Sequence, residues 1–374
     1  SKTMMRTLFL LCLLGIFSQS LWAQFKLWRR NYEETEEVNW GLALGAESYF
    51  YNAEFAHPLK PGYTLPGVSV HPEVWRRVGE KLYLNGGYFY AYMHGKAEAQ
   101  VHKPTLSIAA QLATTGRGSF WCHLGTLTGE HPLPEAIYSP QYTWLHGPEA
   151  GAQLYWQGSR YRIQTWIDWD RFIWKDANDE ERFLYGLQCF NHAAAAQGSE
   201  QGGQPEFTYN AFFLALHHGG QIDTSHLRVV TSTNAGLSLG WARREGTLRP
   251  QVQLHGFVSH DGHHDSPLPA RNGWAAAGEA GLRLGQALYL GAGYFYGKNF
   301  ISLRGEELYR SYSMWSDGAM HSVRSILEGA IVYEKSITQS GRFSCGAKGY
   351  YDLALGRIDY DFYLRLQIAL ETSF

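Results

Sequence analysis

Residues 358–374, at the end of the chain, have the sequence IDYDFYLRLQIALETSF. Apolar side chains occupy alternate positions from Ile358 to Leu370, and the positions between them are mostly polar or charged, as at Asp359 and Arg365. Successive side chains of a β-strand point to opposite faces, so this stretch is predicted to be a strand with one apolar and one charged face. It is long enough to cross a membrane, for which about 9 to 11 tilted residues suffice.

The same alternation recurs along most of the chain. Apolar rows opposite polar rows are found in residues 40–50, 82–92, 161–170 and 248–258. Every backbone polar group inside a bilayer must find an internal partner, so strands of this kind require a closed barrel. The pattern predicts an all-β fold, a transmembrane antiparallel up-and-down β-barrel of about 16 strands (about 14 to 18) over residues 38–374.

The connections between the predicted strands alternate between long and short. Long polar loops are expected at residues 52–67, 94–104, 129–147, 174–180, 260–272 and 298–320. Tight turns are expected at residues 79–80, 115–118, 157–159, 244–246, 285–286 and 338–341. This alternation suits a barrel with both termini in the periplasm. Residues 191–205 break the rule, because they form a long connection where a short turn is expected.

The composition and the N-terminal residues indicate an exported protein. The chain is 15% aromatic and has 41 Gly, and its only long apolar run lies at the extreme N-terminus, so it is not a helical membrane protein. Residues 1–23 are predicted to be a signal peptide, because basic residues precede an apolar stretch that is too short to span a bilayer. Residues 24–37 are predicted to be a short periplasmic segment. A net charge of -2 gives no reason to expect a nucleic-acid partner.

Together, the alternating strands, the long and short connections and the final aromatic residue resemble a Gram-negative outer-membrane porin. In that family the last strand resembles the signal read by the barrel-assembly machinery, and Leu366, Ile368, Leu370 and Phe374 match it here. The resemblance covers nearly the whole chain beyond residue 23. It implies an outer-membrane location, with membrane lipid and the assembly machinery as partners.

A barrel of this size leaves a water-filled lumen, so the inward charges are candidate pore-lining residues. These are Arg162, Asp168, Asp170, Arg249, Arg324 and Arg365. Opposed basic and acidic walls would favour small polar solutes. Alternatively, such charges pair with each other across neighbouring strands. In porins the third external loop folds inward and narrows the channel, so the resemblance makes Glu130 and Glu135 candidate constriction residues.

Residues 259–265, Ser-His-Asp-Gly-His-His-Asp, bring histidines and carboxylates together in one loop. His260, His263 and His264 are weak candidates for a metal site, since imidazole and carboxylate groups bind zinc or copper. The Ser259 and His260 pair also fits a barrel hydrolase like the outer-membrane phospholipases. A nucleophile and base of that kind need an orienting third group and a position that faces lipid.

From the sequence we therefore expect a porin for small polar solutes, with no enzymatic activity and no cofactor. The alternatives are a non-conducting barrel for secretion or adhesion, and a barrel hydrolase. The sequence carries no signature of the solute or of the oligomeric state.

Overall fold

The computed structural model describes residues 39–95, 100–129, 131–174, 180–191, 206–220, 229–316 and 318–374. Sixteen antiparallel strands form one closed barrel, in which neighbours in sequence pair and β16 closes against β1. The strands are β1 (Trp40–His57), β2 (Lys60–Val78), β3 (Leu82–Met93), β4 (Gln100–Thr115), β5 (Gly118–Thr126), β6 (Ala150–Gly158), β7 (Tyr161–Arg171), β8 (Arg182–Asn191), β9 (Glu206–His218), β10 (Val230–Ala242), β11 (Leu248–His260), β12 (Asn272–Leu284), β13 (Leu288–Lys298), β14 (Val323–Ser336), β15 (Gly341–Asp352) and β16 (Arg357–Ser373). The predicted fold class and strand number are confirmed. No helix in the described part of the chain is long and apolar enough to cross a membrane.

The two faces predicted for β16 are confirmed by the exposure of its side chains. Leu366, Ile368 and Leu370 point outward and are exposed, whereas Asp361 and Arg365 point into the lumen and are buried. The outer wall is therefore apolar and the lumen wall polar, as a barrel in a bilayer requires.

The first and last strands meet where the barrel closes. β1 pairs with β16 from Gly41, opposite Ser373, to Glu54, opposite Tyr360. Just beyond β16, the ring of Phe374 stacks on Trp40 with 4.6 Å between centroids. The role of this terminal strand as an assembly signal stays a prediction.

One segment that the sequence predicted to be a loop forms strands instead. Within residues 52–67, β1 continues to His57 and β2 begins at Lys60, after a tight turn. The alternation continues through this stretch, and Phe55 is buried on the lumen side. The loop was expected because the stretch also contains prolines and polar residues, which are typical of loops. β4 likewise begins at Gln100, inside the expected loop 94–104.

The other long connections lie at one end of the barrel, here called the long-loop end, and the tight turns lie at the other. Several predictions fall outside the described residues. These are the signal peptide 1–23, the segment 24–37, Glu130, most of the expected loop 174–180 and nearly all of the connection 191–205.

Two long connections enter the lumen from the long-loop end, and we call them together the plug. Residues 127–149 carry the short helix α1 (Tyr142–His146), and residues 299–322 carry a 3-10 turn (Glu307–Tyr309). The two loops meet in a parallel bridge between Tyr138 and Arg304. Backbone hydrogen bonds on either side hold them together, from Ser139 N–H to the Arg304 carbonyl (2.7 Å) and from Glu306 N–H to the Glu135 carbonyl (2.9 Å).

Aromatic side chains fill the lumen around the plug. Trp144 of α1 stacks on Tyr49 of β1 with 4.5 Å between centroids. His131 stacks on Trp166 of β7 at 3.8 Å. Trp144, Tyr49, Trp166 and His131 are almost fully buried, so the lumen is packed at these levels. The strand pattern led to the prediction of a water-filled lumen. It could not reveal this packing, because loops that enter the lumen leave no trace in strand periodicity.

The contact between Trp166 and Gly186 gives a first testable prediction. The two residues are opposite each other on β7 and β8, and a Cβ atom at Gly186 would lie 2.2 Å from the Trp166 ring. We expect Gly186→Ala to destabilise the barrel by about 1 to 3 kcal/mol, because Trp166 is held in place by the plug. The measurement is the urea midpoint of unfolding in lipid vesicles. The control is Gly329→Ala, where a Cβ meets nothing within 4 Å. Equal midpoints for the two variants would contradict this packing.

Candidate functional site

The predicted lumen residues Asp168 and Asp170 share one partner, Arg304 of the plug. Its guanidinium lies 2.6 Å from Asp168 Oδ2 and 2.8 Å from Asp170 Oδ1. It also donates to Glu149 Oε1 at 3.2 Å. The Arg304 side chain is 2% exposed, so these contacts are shielded from solvent. The sequence pattern did not single out Arg304, since it lies in a loop with no strand periodicity.

The candidate constriction residue Glu135 also lies inside the barrel. Lys348 of β15 donates to Glu135 at 2.8 Å and lies 2.9 Å from Glu328 of β14. The same ammonium group donates to the hydroxyl of Tyr309 at 2.9 Å. Glu135 thus anchors the plug to the barrel wall.

The four predicted arginines of the wall also have partners. Arg324 is fully buried and bonds to Asp352, to His57 and to the Leu308 carbonyl. Arg365 bonds to Glu47, Arg249 to the Gly285 carbonyl, and Arg162 lies 4.0 Å above the Tyr155 ring. The contacts of Arg324 and Arg365 favour the alternative that inward charges pair with one another, whereas the contacts of Arg249 and Arg162 are with a carbonyl and an aromatic ring.

A serine, a histidine and a glutamate form a series on the lumen wall. Ser238 Oγ lies 2.7 Å from His255 Nδ1, and His255 Nε2 lies 3.5 Å from Glu279. A cavity of about 20 Å³ beside His255 and Glu279 is lined from above by plug residues, including Pro134 and Tyr309. The plug therefore separates this series from the long-loop end.

Ser259 and His260 cannot act as a nucleophile and base pair. They are consecutive in β11, so the strand places them on opposite faces. Ser259 is buried toward the lumen and accepts a hydrogen bond from the Ile301 N–H at 3.1 Å. His260 faces outward, where its Nδ1 lies 2.8 Å from Asn272 Oδ1.

The next two polar residues of that segment form a carboxylate–imidazole pair at the long-loop end, here called the rim dyad. Asp261 Oδ1 lies 2.8 Å from His263 Nδ1 and accepts the backbone N–H of His263 at 3.1 Å. A carboxylate only accepts, so Nδ1 carries the proton and Nε2 is left as the basic atom. The Asp261 side chain is fully buried, while the His263 side chain is 47% exposed.

The electrostatics of the rim dyad are those of an oriented base. Burial alone would raise the pKa of Asp261, but hydrogen bonds from His263 and Ser266 outweigh it and lower that pKa to about 2. The hydrogen bond to Asp261 raises the pKa of His263, while burial and the charge of Arg310 act in the opposite direction. A carboxylate that holds Nδ1 stabilises the imidazolium that forms when the ring accepts a proton.

Other polar groups surround the rim dyad. Arg310 and Tyr312 come from the plug, and the Arg310 guanidinium lies 5.2 Å from the Tyr312 ring centroid. Burial raises the pKa of Tyr312, on which the charges of Arg310 and Asp261 also act. The His218 ring centroid lies 6.0 Å from that of His263, and His218 bonds to Glu180 at 3.2 Å. The spacing Asp-x-His was visible in the sequence, but its neighbours come from distant segments.

The outer wall of the barrel beside the rim dyad carries aromatic and polar side chains. Trp169, Phe183 and His217 stack in a row across β7, β8 and β9, with 5.0 and 4.8 Å between centroids. His217 Nδ1 also lies 3.0 Å from Thr231 Oγ1. Aromatic residues in such positions are typical of the boundary between hydrocarbon and lipid headgroups.

The three histidines considered for a metal site do not share one. His260 contacts Asn272, His263 contacts Asp261, and His264 lies near Arg271. Among the described residues, no three His, Cys, Asp or Glu side chains converge in a way that could hold a metal ion.

Solved structures similar to this barrel include two outer-membrane proteins. OccAB4 from Acinetobacter baumannii matches with a TM-score of 0.53 and 8% identity, over 90% of this chain and 100% of its own. OprD from Pseudomonas aeruginosa matches with a TM-score of 0.52 and 8% identity, over 96% of this chain and 98% of its own. At this identity the similarity concerns the fold. It confirms the predicted porin-like barrel, whose apolar outer wall agrees with the predicted outer-membrane location.

The family comparison corrects one expectation from the sequence. A family model described as Lipid A 3'-O-deacylase-type matches residues 32–374. That family is named for an enzymatic activity, so the expectation that the protein is not an enzyme was wrong. Strand alternation and inward charges indicate the barrel fold, but they do not indicate whether the rim of the barrel has enzymatic activity. The chain is an outer-membrane β-barrel that belongs to the Lipid A 3'-O-deacylase-type family.

Proposed function

We propose that this protein is an outer-membrane hydrolase that removes an acyl chain from a lipid A-type glycolipid. The family name supports this substrate class. The observation that carries the proposal is the rim dyad, in which a buried carboxylate lies 2.8 Å from Nδ1 of a half-exposed imidazole. This arrangement leaves His263 Nε2 available to accept a proton at the surface of the barrel.

The position of the dyad fits a lipid ester. Long loops of outer-membrane barrels are extracellular, so the long-loop end lies at the outer leaflet. Acyl esters join the polar headgroup to the hydrocarbon, and the row of Trp169, Phe183 and His217 on the adjacent wall fits the same boundary. A substrate in the outer leaflet could therefore bring its ester to the rim without entering the lumen.

In the proposed reaction His263 acts as a general base and then as a general acid. Nε2 accepts a proton from water as the water oxygen attacks the ester carbonyl carbon, and Asp261 stabilises the resulting imidazolium. The charge of Arg310 acts on the same site and would favour the developing oxyanion. When the tetrahedral intermediate collapses, the imidazolium gives its proton to the leaving alkoxide, which releases the fatty acid and the deacylated alcohol.

The rate of hydrolysis should rise with pH through the pKa of His263. His263 must be neutral to accept a proton, and its contact with Asp261 raises its pKa above the ordinary value of 6.5. Asp261→Asn should move the inflection to lower pH, and it should also lower the maximal rate by up to about 10⁴-fold. The measurement is the pH dependence of fatty-acid release for both proteins. An unchanged inflection in Asp261→Asn would show that another group acts as the base.

Diffusion of small polar solutes through the lumen is the second candidate function. The amides of Gln153, Gln164 and Gln188 form a hydrogen-bonded row on the lumen wall, which supports a polar route. The packed plug weighs against an open passage in the state described here. Conductance of the refolded wild-type protein in a planar bilayer tests this candidate separately from hydrolysis.

The direct test of the proposed function uses purified, refolded protein and lipid A in mixed detergent micelles. Free fatty acids are quantified by mass spectrometry over time. Release proportional to protein concentration supports the proposal. Absence of release from a barrel whose folding is verified by its heat-dependent gel mobility contradicts it.

A further inference from the structure

The plug is held in the lumen to a large extent by charged groups. Arg304 contacts three carboxylates, two of them on the barrel wall in β7, and its guanidinium lies 4.3 Å from the Tyr142 ring centroid. Asp168, Asp170 and Glu149 are also largely or fully buried. Removing one partner of such a buried ion pair is strongly destabilising, because the remaining charge stays buried without an opposite charge.

Arg304 is the point where both loops and the wall converge. Its backbone forms the bridge to Tyr138 in the other plug loop, and its side chain reaches Asp168 and Asp170 on β7. Glu149 lies at the junction of the first plug loop with β6 and also bonds to His131 at 2.6 Å. One residue thus ties together three separate segments of the chain.

We propose that Arg304 is the latch of a displaceable plug, and that its release opens the lumen to small cations. A barrel of about 16 strands is wide enough for an aqueous channel once inserted loops are displaced. This inference goes beyond the proposed hydrolysis and does not depend on it.

The preference for cations follows from the charges that remain. Removing the Arg304 guanidinium leaves Asp168, Asp170 and Glu149 without this partner. Carboxylates that line a passage attract cations and repel anions. The amides of Gln164, Gln188 and Asn210 add a hydrogen-bonded polar band to the lumen wall across β7, β8 and β9.

The experiment is planar-bilayer recording of the refolded full chain in potassium chloride. Wild type is expected to stay mostly closed. Arg304→Ala is expected to shift the closed-to-open ratio by about a hundredfold toward stepwise openings with a cation-selective reversal potential. The matched control is Arg342→Ala, because Arg342 forms an exposed pair with Glu334 far from the plug. It should behave as wild type.

A second variant keeps the proposal testable if Arg304→Ala does not fold. Asp168→Asn with Asp170→Asn removes the charge from two of the ion pairs of Arg304 without creating a cavity, and it should also open the lumen, with weaker cation preference. Limited proteolysis should then cut within residues 127–149 or 299–322 while the barrel stays intact. The proposal is overturned if the folded variants stay closed and uncut, or if wild type already conducts as they do.

Discussion

Replacing His263 with glutamine is expected to lower the initial rate of fatty-acid release by about 10² to 10⁴-fold, the usual contribution of a general acid–base group. Glutamine keeps the approximate size and polarity of the side chain but cannot accept a proton at pH 7. Because His263 is half exposed in a loop beyond β11, the barrel should fold normally. The rate is measured with lipid A micelles at a pH above the inflection of wild type.

The matched control is His264→Gln, in the adjacent position of the same loop. His264 is exposed and its nearest polar partner is Arg271, at 3.5 Å. This variant should retain the wild-type rate. Equal losses in both variants would indicate a general effect on the loop, and no loss in His263→Gln would remove the rim dyad from the reaction.

The largest expected effect on stability is that of Arg324→Ala. Arg324 lies at the start of β14, fully buried, and it bonds to Asp352, His57 and the Leu308 carbonyl. Removing it leaves the Asp352 carboxylate buried without its guanidinium partner, which costs about 3 to 5 kcal/mol for pairs of this kind. The urea midpoint of unfolding in vesicles measures the loss.

Arg342→Ala again provides the comparison, because its pair with Glu334 is solvent-exposed. Exposed pairs contribute about 0 to 1 kcal/mol, so the midpoint should hardly move. Similar midpoints for the two variants would mean that water reaches the site of Arg324. The complete burial of Arg324 would then be contradicted.

The sequence was sufficient to predict the barrel because each strand carries its own signal. In β16 the exposed Leu366 and Ile368 and the buried Asp361 and Arg365 follow from alternation alone. The expectation of a loop at residues 52–67 was wrong, because the prolines and polar residues there outweighed an alternation that continues through β1 and β2 up to the tight turn between His57 and Lys60. Strand periodicity is weak evidence where such residues lie within a strand.

The candidate site depended on contacts that periodicity does not encode. The sequence shows Asp261 and His263 as part of a histidine-rich segment. Their pairing and the different burial of the two side chains are seen only in the folded loop. Arg304 has no signal in the sequence, since its partners on β7 and just before β6 lie more than a hundred residues away. Inward charges such as Asp168 were predicted to line a pore, and the structure gives them partners in the plug.

The activity we propose for this barrel is hydrolysis of an acyl ester of lipid A at its rim. The most direct test is the mass spectrum of lipid A extracted from cells that produce the wild-type protein or the His263→Gln variant at equal levels in the outer membrane. We expect lipid A lighter by one acyl chain with wild type and unmodified lipid A with the variant. Unmodified lipid A in both strains, or the same lighter species in both, would contradict it.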